Sequence, residues 1–316
     1  MKIAPAEIDT VVESRSLVAE DALRLDLVRA DGGVFPTWDP GAHIDVLLPS
    51  GIERQYSLCG SPEQQRTWTI VVLREPSGRG GSLWLHEQVE LGTALRVRGP
   101  SNHFALDSAL RYRLIAGGIG ITAILPMIRS LESRGAAWEL DYAARSAHRM
   151  AFRDEVRALG GERARMHVTA EGARLDLDAL RPEPGELVYA CGPARLLDAL
   201  TERSADWEPG SLRIERFEAV RSTEPVQNQP ITVDLVLAGQ TIDVGAQESI
   251  LDAVEREGIF VLSSCREGTC GTCETVVVGG TVEHRDSILT EAERRANDRM
   301  MICVSRASSS HLALEL

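Results

Sequence analysis

Ser264-Cys265-Arg266-Glu267-Gly268-Thr269-Cys270-Gly271-Thr272-Cys273 places three cysteines within nine positions, and Cys303 follows after a further 29 residues. The spacing, C-x4-C-x2-C and then a distant fourth cysteine, is that of a [2Fe–2S] site. Two iron atoms need four thiolates converging on one small volume. A loop can deliver three, and a returning strand the fourth. Gly268 and Gly271 permit the tight wrap and let backbone N–H groups approach the sulfurs. A disulfide pair is disfavoured in a reducing compartment. A structural zinc usually shows two close cysteine or histidine pairs, and the second close pair is missing. Of the other cysteines, Cys59 reads as a packing residue, and the seven histidines form no metal or catalytic spacing.

Upstream of this cluster, 219–230 is polar, carries two prolines and lacks large apolar side chains, so it reads as a linker. Before it, from Arg111 to Phe217, apolar strand patterns at 111–116, 138–144, 165–170, 186–191 and 212–217 alternate with helical stretches at 123–133, 152–159 and 194–200. Such alternation predicts a parallel sheet covered by helices. Before Asp107, short β-like runs at 43–48, 68–73 and 95–97 are broken by Pro49-Ser50-Gly51 and Pro76-Ser77-Gly78, the rhythm of an antiparallel barrel. After the linker, a strand at 231–237 and a helix at 250–257 precede the cysteines. The chain is thus read as multidomain: a β-barrel at 1–107, an α/β domain at 108–220, a linker at 221–230 and a small α+β domain at 231–316.

A chain of 316 residues with 43% apolar and 26% charged residues is globular, not disordered or fibrous. No apolar run reaches the ~20 residues of a bilayer crossing. Glu7 and Asp9 fall where a signal peptide needs its apolar core, so a cytoplasmic protein is expected. The net charge of −13 argues against nucleic acid and anionic membranes as partners. From Gln229 to the end the balance is −7, with 14 acidic and 7 basic side chains, which suits a partner with a basic face. Solubility alone would explain the same charge.

Three further segments suit nucleotides. In Arg54-Gln55-Tyr56-Ser57-Leu58 the arginine can pair with a phosphate, the tyrosine offers an aromatic face and the serine a hydroxyl. A surface Arg beside a half-buried Tyr would read the same way. Gly78-Arg79-Gly80-Gly81-Ser82 leads into a helical run and can cradle a phosphate on backbone N–H groups. Gly117-Gly118-Ile119-Gly120-Ile121-Thr122 follows a strand and opens a helix, the context of a dinucleotide loop. Asp141 has the sequence distance of a ribose carboxylate, yet it falls inside a strand instead of at its end, nearer Arg145.

The cysteine loop resembles that of plant-type ferredoxins, and Met301-Ile302-Cys303-Val304-Ser305-Arg306-Ala307 resembles the segment carrying their fourth ligand. Arg54-x-Tyr56-Ser57, Gly117-Gly118-x-Gly120-x-Thr122 and Cys191-Gly192-Pro193 resemble the ferredoxin reductase motifs for flavin and pyridine nucleotide. Where that family usually has Pro after the Thr, Ala123 stands here. In their order the three modules resemble the phthalate dioxygenase reductase and vanillate demethylase reductase family. The resemblance implies a β-grasp fold for the last domain, and FMN, NADH and a [2Fe–2S] cluster as cofactors. It assigns Cys265, Cys270, Cys273 and Cys303 to the cluster. It places Arg54, Gln55, Tyr56, Ser57, Val71, Val72, Leu73, Gly80, Gly81 and Ser82 around the flavin, with Phe217 beside the ring. Gly117, Gly118, Gly120, Thr122, Cys191 and Gly192 fall to the nucleotide, and Ser57, Thr122 and Cys191 to hydride transfer.

The implied activity is that of an NADH-dependent reductase supplying a Rieske-type oxygenase, an aromatic-ring dioxygenase or an O-demethylase. Arg266 and Glu267 are then candidate docking residues, the docking weak and electrostatic. A reductase serving a cytochrome P450 uses the same modules, and a free-standing ferric or quinone reductase would not need the last one. A non-enzymatic zinc-binding module is the reading of another class. Arg145, Ser146 and Arg149 stand where a 2′-phosphate would be held, whereas the resemblance implies NADH.

Overall fold

The computed structural model describes residues 6–219 and 228–316. The expected linker falls largely on 220–227 and so lies outside the described residues. The chain divides into two compact units, Met1–Glu215 and Arg216–Leu316.

The first unit opens with strands β1 (Glu7–Ala19), β2 (Ala22–Arg29), β3 (Ala42–Leu47), β4 (Glu53–Ser57) and β5 (Trp68–Leu73), helix α1 (Gly81–Gln88) and strand β6 (Ala94–Asn102). The six strands form one antiparallel sheet in the order β4-β3-β6-β1-β2-β5. Alternation directs Leu23, Leu25 and Leu27 of β2, with Trp68, Ile70 and Val72 of β5, into one core. Beyond β4 the chain crosses to the opposite edge, where Cys59 N–H donates to Thr69 O at 2.9 Å and curls the sheet toward a barrel. The long β1–β2 hairpin has no counterpart in the sequence reading. Of the 13 residues in β1 only Ile8, Thr10 and Val12 are buried, so its apolar alternation is brief.

A second sheet follows in the same unit, from β7 (Arg111–Gly117), α2 (Ile121–Ser133), β8 (Ala137–Ala144), α3 (Arg153–Gly160), β9 (Ala164–Val168), β10 (Glu186–Cys191), α4 (Ala194–Arg203) and β11 (Leu212–Glu215). It is parallel throughout, in the order β11-β10-β7-β8-β9. One face buries Leu114, Leu140, Tyr142 and Tyr189 with Ile124, Ile128 and Leu131 of α2. On the other, Ile115, Val188 and Ala190 pack with Leu197 and Leu200 of α4. The crossover from β9 to β10 contains only short 3-10 turns. On that face β8 and β9 therefore carry charges instead of an apolar layer: Glu139, Asp141, Arg165 and His167, beside Arg113 and Glu186 of the neighbouring strands.

The second unit contains β12 (Ile231–Leu235), β13 (Gln240–Val244), α5 (Ile250–Arg256), β14 (Glu274–Glu283), α6 (Glu291–Ala296), β15 (Arg299–Met301) and β16 (Arg306–Leu314). The mixed sheet runs β13-β12-β16-β14-β15, with β12 and β16 parallel, and packs against α5 as in a β-grasp. Ile250, Leu251 and Val254 bury one stripe of α5 against Val233, Ile302 and Leu312. Ser249 caps that helix by accepting from Asp252 N–H at 3.0 Å.

Candidate functional site

Strand β4 lies at a sheet edge and carries Arg54, Gln55, Tyr56 and Ser57. A Cβ on Gly81 would come within 2.8 Å of Arg54 Cγ and 3.0 Å of its Nε, so glycine at the first turn of α1 admits the arginine against the helix start. The first N–H groups of a helix have no intrahelical acceptor, and with an adjacent guanidinium they suit an anion. Gly80 supplies the left-handed turn into the helix at φ 88°. The Ser82 hydroxyl is engaged elsewhere: it accepts from Glu75 N–H at 3.1 Å, so it pins the preceding turn. Gln55 donates to Asp45 at 3.0 Å, and burial pushes the Tyr56 hydroxyl above its ordinary range.

Ser57 is buried, and its Oγ has no hydrogen-bond partner among the described residues. Such an atom costs stability unless a ligand meets it. Val71 and Val72 are buried in the protein core, and of the three β5 residues expected at the flavin only Leu73 is exposed. Any contact by the two valines would be through the backbone.

At the end of β7, Gly117, Gly118 and Gly120 form a tight turn into α2. A Cβ on Gly120 would meet Cys191 O at 2.2 Å, and one on Gly192 would meet Gly117 Cα at 2.9 Å. The glycines thus press the two candidate nucleotide loops backbone to backbone. Thr122 is buried and donates to Ile119 O at 2.9 Å, bracing the turn. Cys191 is fully buried, and desolvation, followed by the Glu215 charge, pushes its thiol well up. Glu215 faces it from β11. The sequence reading gave that residue no role; a carboxylate within the strand pattern at 212–217 was the available signal. Phe217, two residues beyond β11, is exposed and belongs to the second unit.

Asp141 is spoken for. It accepts from Arg165 Nε and Nη2, each at 2.9 Å, and lies 2.8 Å from His167 Nε2. Arg149 is bound to Asp21 at 2.7 Å and Glu20 at 3.4 Å.

In the second unit, Cys265, Cys270, Cys273 and Cys303 are all buried. Cys265 Sγ accepts from Glu267 N–H at 3.3 Å and Thr269 N–H at 3.4 Å, and Cys270 Sγ from Thr272 N–H at 3.4 Å. The thiols meet pairwise: Cys265 with Cys270 and with Cys303, and Cys273 with Cys303. These sulfur contacts favour the thiolate at Cys265 and Cys273 and keep the proton on Cys270 and Cys303. Among the described residues no group of three or more His, Cys, Asp or Glu side chains forms a single-ion site. Four thiols in mutual contact, with backbone N–H donors on Cys265 and Cys270, are a donor set that fits a two-iron cluster.

Arg266 and Gly268 take left-handed conformations, at φ 55° and 71°. A Cβ on Gly268 would meet Val304 Cγ2 at 2.6 Å, so glycine lets the loop close on the segment that carries Cys303. The Arg266 guanidinium, expected at a docking surface, is held by Asp252 at 2.9 Å and Glu255 at 2.5 Å on α5. It braces the loop on α5 while its side chain stays exposed.

Residues 233–308 match the 2Fe-2S iron-sulfur cluster binding domain family. The chain is 42% identical to the toluene-4-sulfonate monooxygenase system reductase subunit TsaB1 of Comamonas testosteroni, over 98% of this chain and 99% of that one. It superposes on the solved structure of phthalate dioxygenase reductase with a TM-score of 0.71 and 33% identity over 98% of both chains. The chain belongs to the phthalate dioxygenase reductase family. That enzyme's structure is described as modular, for electron transfer from pyridine nucleotides to [2Fe-2S]. Like its family, this chain is an electron-transfer oxidoreductase, the reductase of an oxygenase system. Part of the solved structure of an intact type IV self-sufficient cytochrome P450 monooxygenase is also similar, with a TM-score of 0.92 and 40% identity over all of this chain. This chain spans 42% of that one.

Proposed function

We propose that this reductase draws electrons from NADH through FMN and a [2Fe–2S] cluster and delivers them to a Rieske-type oxygenase in the cytoplasm. The observation that supports it best is the meeting of four thiols in a chain whose other unit joins an anion cradle, a buried hydroxyl with no partner among the described residues and a glycine-tight nucleotide loop.

Bound there, FMN would accept a hydride from NADH and the cluster would take the electrons singly, so the pair converts two-electron into one-electron chemistry. The rest is the work of the chain. Arg54 and the start of α1, with Gly80 and Gly81, would hold the flavin phosphate. Ser57 Oγ would hydrogen-bond the ring at N5, and Tyr56 would cover its side chain. Gly117, Gly118, Gly120 and Gly192 leave room for the pyridine nucleotide, with Thr122 and Cys191 orienting the nicotinamide. Cys265, Cys270, Cys273 and Cys303 would hold the cluster. Because Arg149 is already paired with Asp21 and Glu20, a 2′-phosphate loses one of its cations, which favours NADH over NADPH.

The domain limits are proposed at 1–107, 108–220 and 231–316. The charge of −7 on the last of these suits weak docking to a basic oxygenase face, as transient redox interfaces use. A second reading, supply to a cytochrome P450, is favoured by the resemblance to the P450 fusion chain.

A visible spectrum before and after anaerobic NADH, with the released flavin identified by chromatography, tests the electron path. Overlapping flavin and iron–sulfur bands that bleach, with FMN released, support it. A colourless, zinc-containing protein removes it. Reconstitution with a Rieske oxygenase and with a P450 separates the acceptors, and a rate unaffected by ionic strength would remove the electrostatic docking. Acceptor reduction that survives deletion of 229–316 would point instead to a free-standing ferric or quinone reductase.

A further inference from the structure

Helix α2 begins at the nucleotide loop, and its third turn carries Arg129. The Arg129 Nη1 donates to Cys59 O at 2.6 Å and Gly60 O at 2.7 Å, two carbonyls of the barrel. Its Nε and Nη2 donate to Glu155 of α3, at 2.8 and 2.5 Å. One guanidinium therefore ties the two sheets of the first unit together. The barrel segment it grips starts two residues after Ser57, and an extended chain covers at most about 3.5 Å per residue. At its other end the first turn of α2 carries Thr122, on the same face as Arg129 and two turns away.

A second contact ties the same parts. Ile119, inside the glycine turn, packs against the small apolar cluster of Ala22, Cys59 and Val71. Cys59 is also fixed from the barrel side, through its N–H to Thr69 O at 2.9 Å. Ser57 and the Gly117–Thr122 turn are thus joined through Cys59, whose carbonyl is gripped from α2 and whose side chain belongs to the cluster that Ile119 of the turn packs against.

We propose that Arg129 is a positioning residue for hydride transfer: by clamping the carbonyls of Cys59 and Gly60 it sets the flavin motif against the nucleotide loop. The inference rests on the functional reading above. Arg129 touches neither Ser57 nor Thr122. Its effect is on the distance between the two loops, where a displacement of about 1 Å can cost about a hundredfold in rate. The planar fork suits the task, because two edges serve two carbonyls and a carboxylate at once, which a lysine ammonium on a single carbon stem does not.

The test is anaerobic stopped-flow reduction of the bound flavin by NADH in the wild-type holoenzyme, R129K and R129A, titrated over NADH. It is paired with hydrogen exchange of 57–61 and 117–123 in the flavin-free proteins. The clamp predicts that R129A keeps its flavin and its half-saturating NADH concentration within about twofold, while the limiting reduction rate falls about tenfold or more. R129K should recover part of that rate, and exchange should quicken in both segments together. An unchanged limiting rate, or a loss confined to NADH affinity, would overturn the proposal. Should R129A fail to fold, R129K is read by the same criteria. A wild-type flavin that NADH does not bleach would overturn the functional reading itself, a result distinct from loosened exchange with unaltered hydride transfer, which overturns the clamp alone.

Discussion

The carboxylate of Glu215 stands beside the thiol of Cys191, the two residues being register partners on the parallel strands β11 and β10. Glu215 Oε2 is out of solvent and meets no hydrogen-bond partner among the described residues. Burial lifts this carboxyl to about 8, so at neutral pH it carries a proton at the end of the sheet where the nicotinamide is proposed to lie. A neutral carboxyl can donate a hydrogen bond there without placing a second negative charge near a reduced flavin.

Glu215 makes stability depend on pH in a definite direction. Unfolded, the carboxyl titrates near ~4.3; folded, at about 8. Between those values the native state binds more protons, so the contribution is full below ~4.3 and is lost as pH rises through about 8. Urea midpoints at pH 5, 7 and 9 should fall for the wild type relative to E215Q. Parallel curves would show that the carboxyl ionises freely in the fold.

Ser57 should change the sign of its effect with flavin. In the flavin-free protein its hydroxyl is buried without a described partner, so S57A is expected to stabilise by about 1 kcal/mol. In the loaded protein the same substitution removes the proposed bond to the ring and should slow flavin reduction by NADH. Thermal melting of both forms, with single-turnover reduction of the loaded one, checks this. Destabilisation of the flavin-free protein would place the hydroxyl in the fold instead of the site.

Asp141 should matter to stability and not to nucleotide choice. Burial alone would raise its carboxyl, but hydrogen bonds from Arg165 and His167 outweigh it and hold the group below its ordinary range. Its contribution is therefore present above ~3.9 and lost as pH falls through the lowered value. D141A leaves Arg165 and Arg113 with Glu139 as their remaining shared partner and should cost on the order of 2 kcal/mol, moderated because Arg165 is part-exposed. The ratio of kcat/KM for NADH to that for NADPH should not move. A shift in that ratio would return Asp141 to the ribose.

The parts legible in the sequence were those written in local spacing. The cysteine loop, the Gly117–Thr122 turn and the strands at 68–73 and 186–191 announce themselves within a dozen residues, because a tight turn or a buried strand constrains its own neighbours. What escaped depends on residues far apart in the chain. Arg129 reads as one more charge on an amphipathic helix until Cys59 and Gly60 are folded against it, 70 and 69 positions away. Glu215 gains a role only through its register with Cys191. The Ser82 hydroxyl accepts from Glu75 N–H, seven residues upstream, a contact that its residue type alone does not announce. Arg266 was matched by its place beside a cysteine, while the charges that hold it come from α5.

Gly268 offers a cut between the two units. Its φ of 71° strains any other residue, and a Cβ there would meet Val304 Cγ2 at 2.6 Å and Asp286 Cα at 3.1 Å. Asp286 is fixed in turn, since its carboxylate accepts from Leu289 N–H at 2.8 Å and its neighbour Ser287 donates its N–H to Gly268 O at 2.8 Å. Neither side can yield cheaply, so G268A should lift the loop carrying Cys265 and Cys270 off the segment carrying Cys303. The expected result is loss of iron and of the cluster's electron paramagnetic resonance signal after reduction, together with loss of electron delivery to the oxygenase. Flavin reduction by NADH should proceed at nearly the wild-type rate, because the residues assigned to it, Phe217 apart, lie in Met1–Glu215. A G268A protein that kept its cluster would mean that the loop tolerates the displacement, and one that lost flavin reduction as well would mean that the first unit depends on the second for its fold.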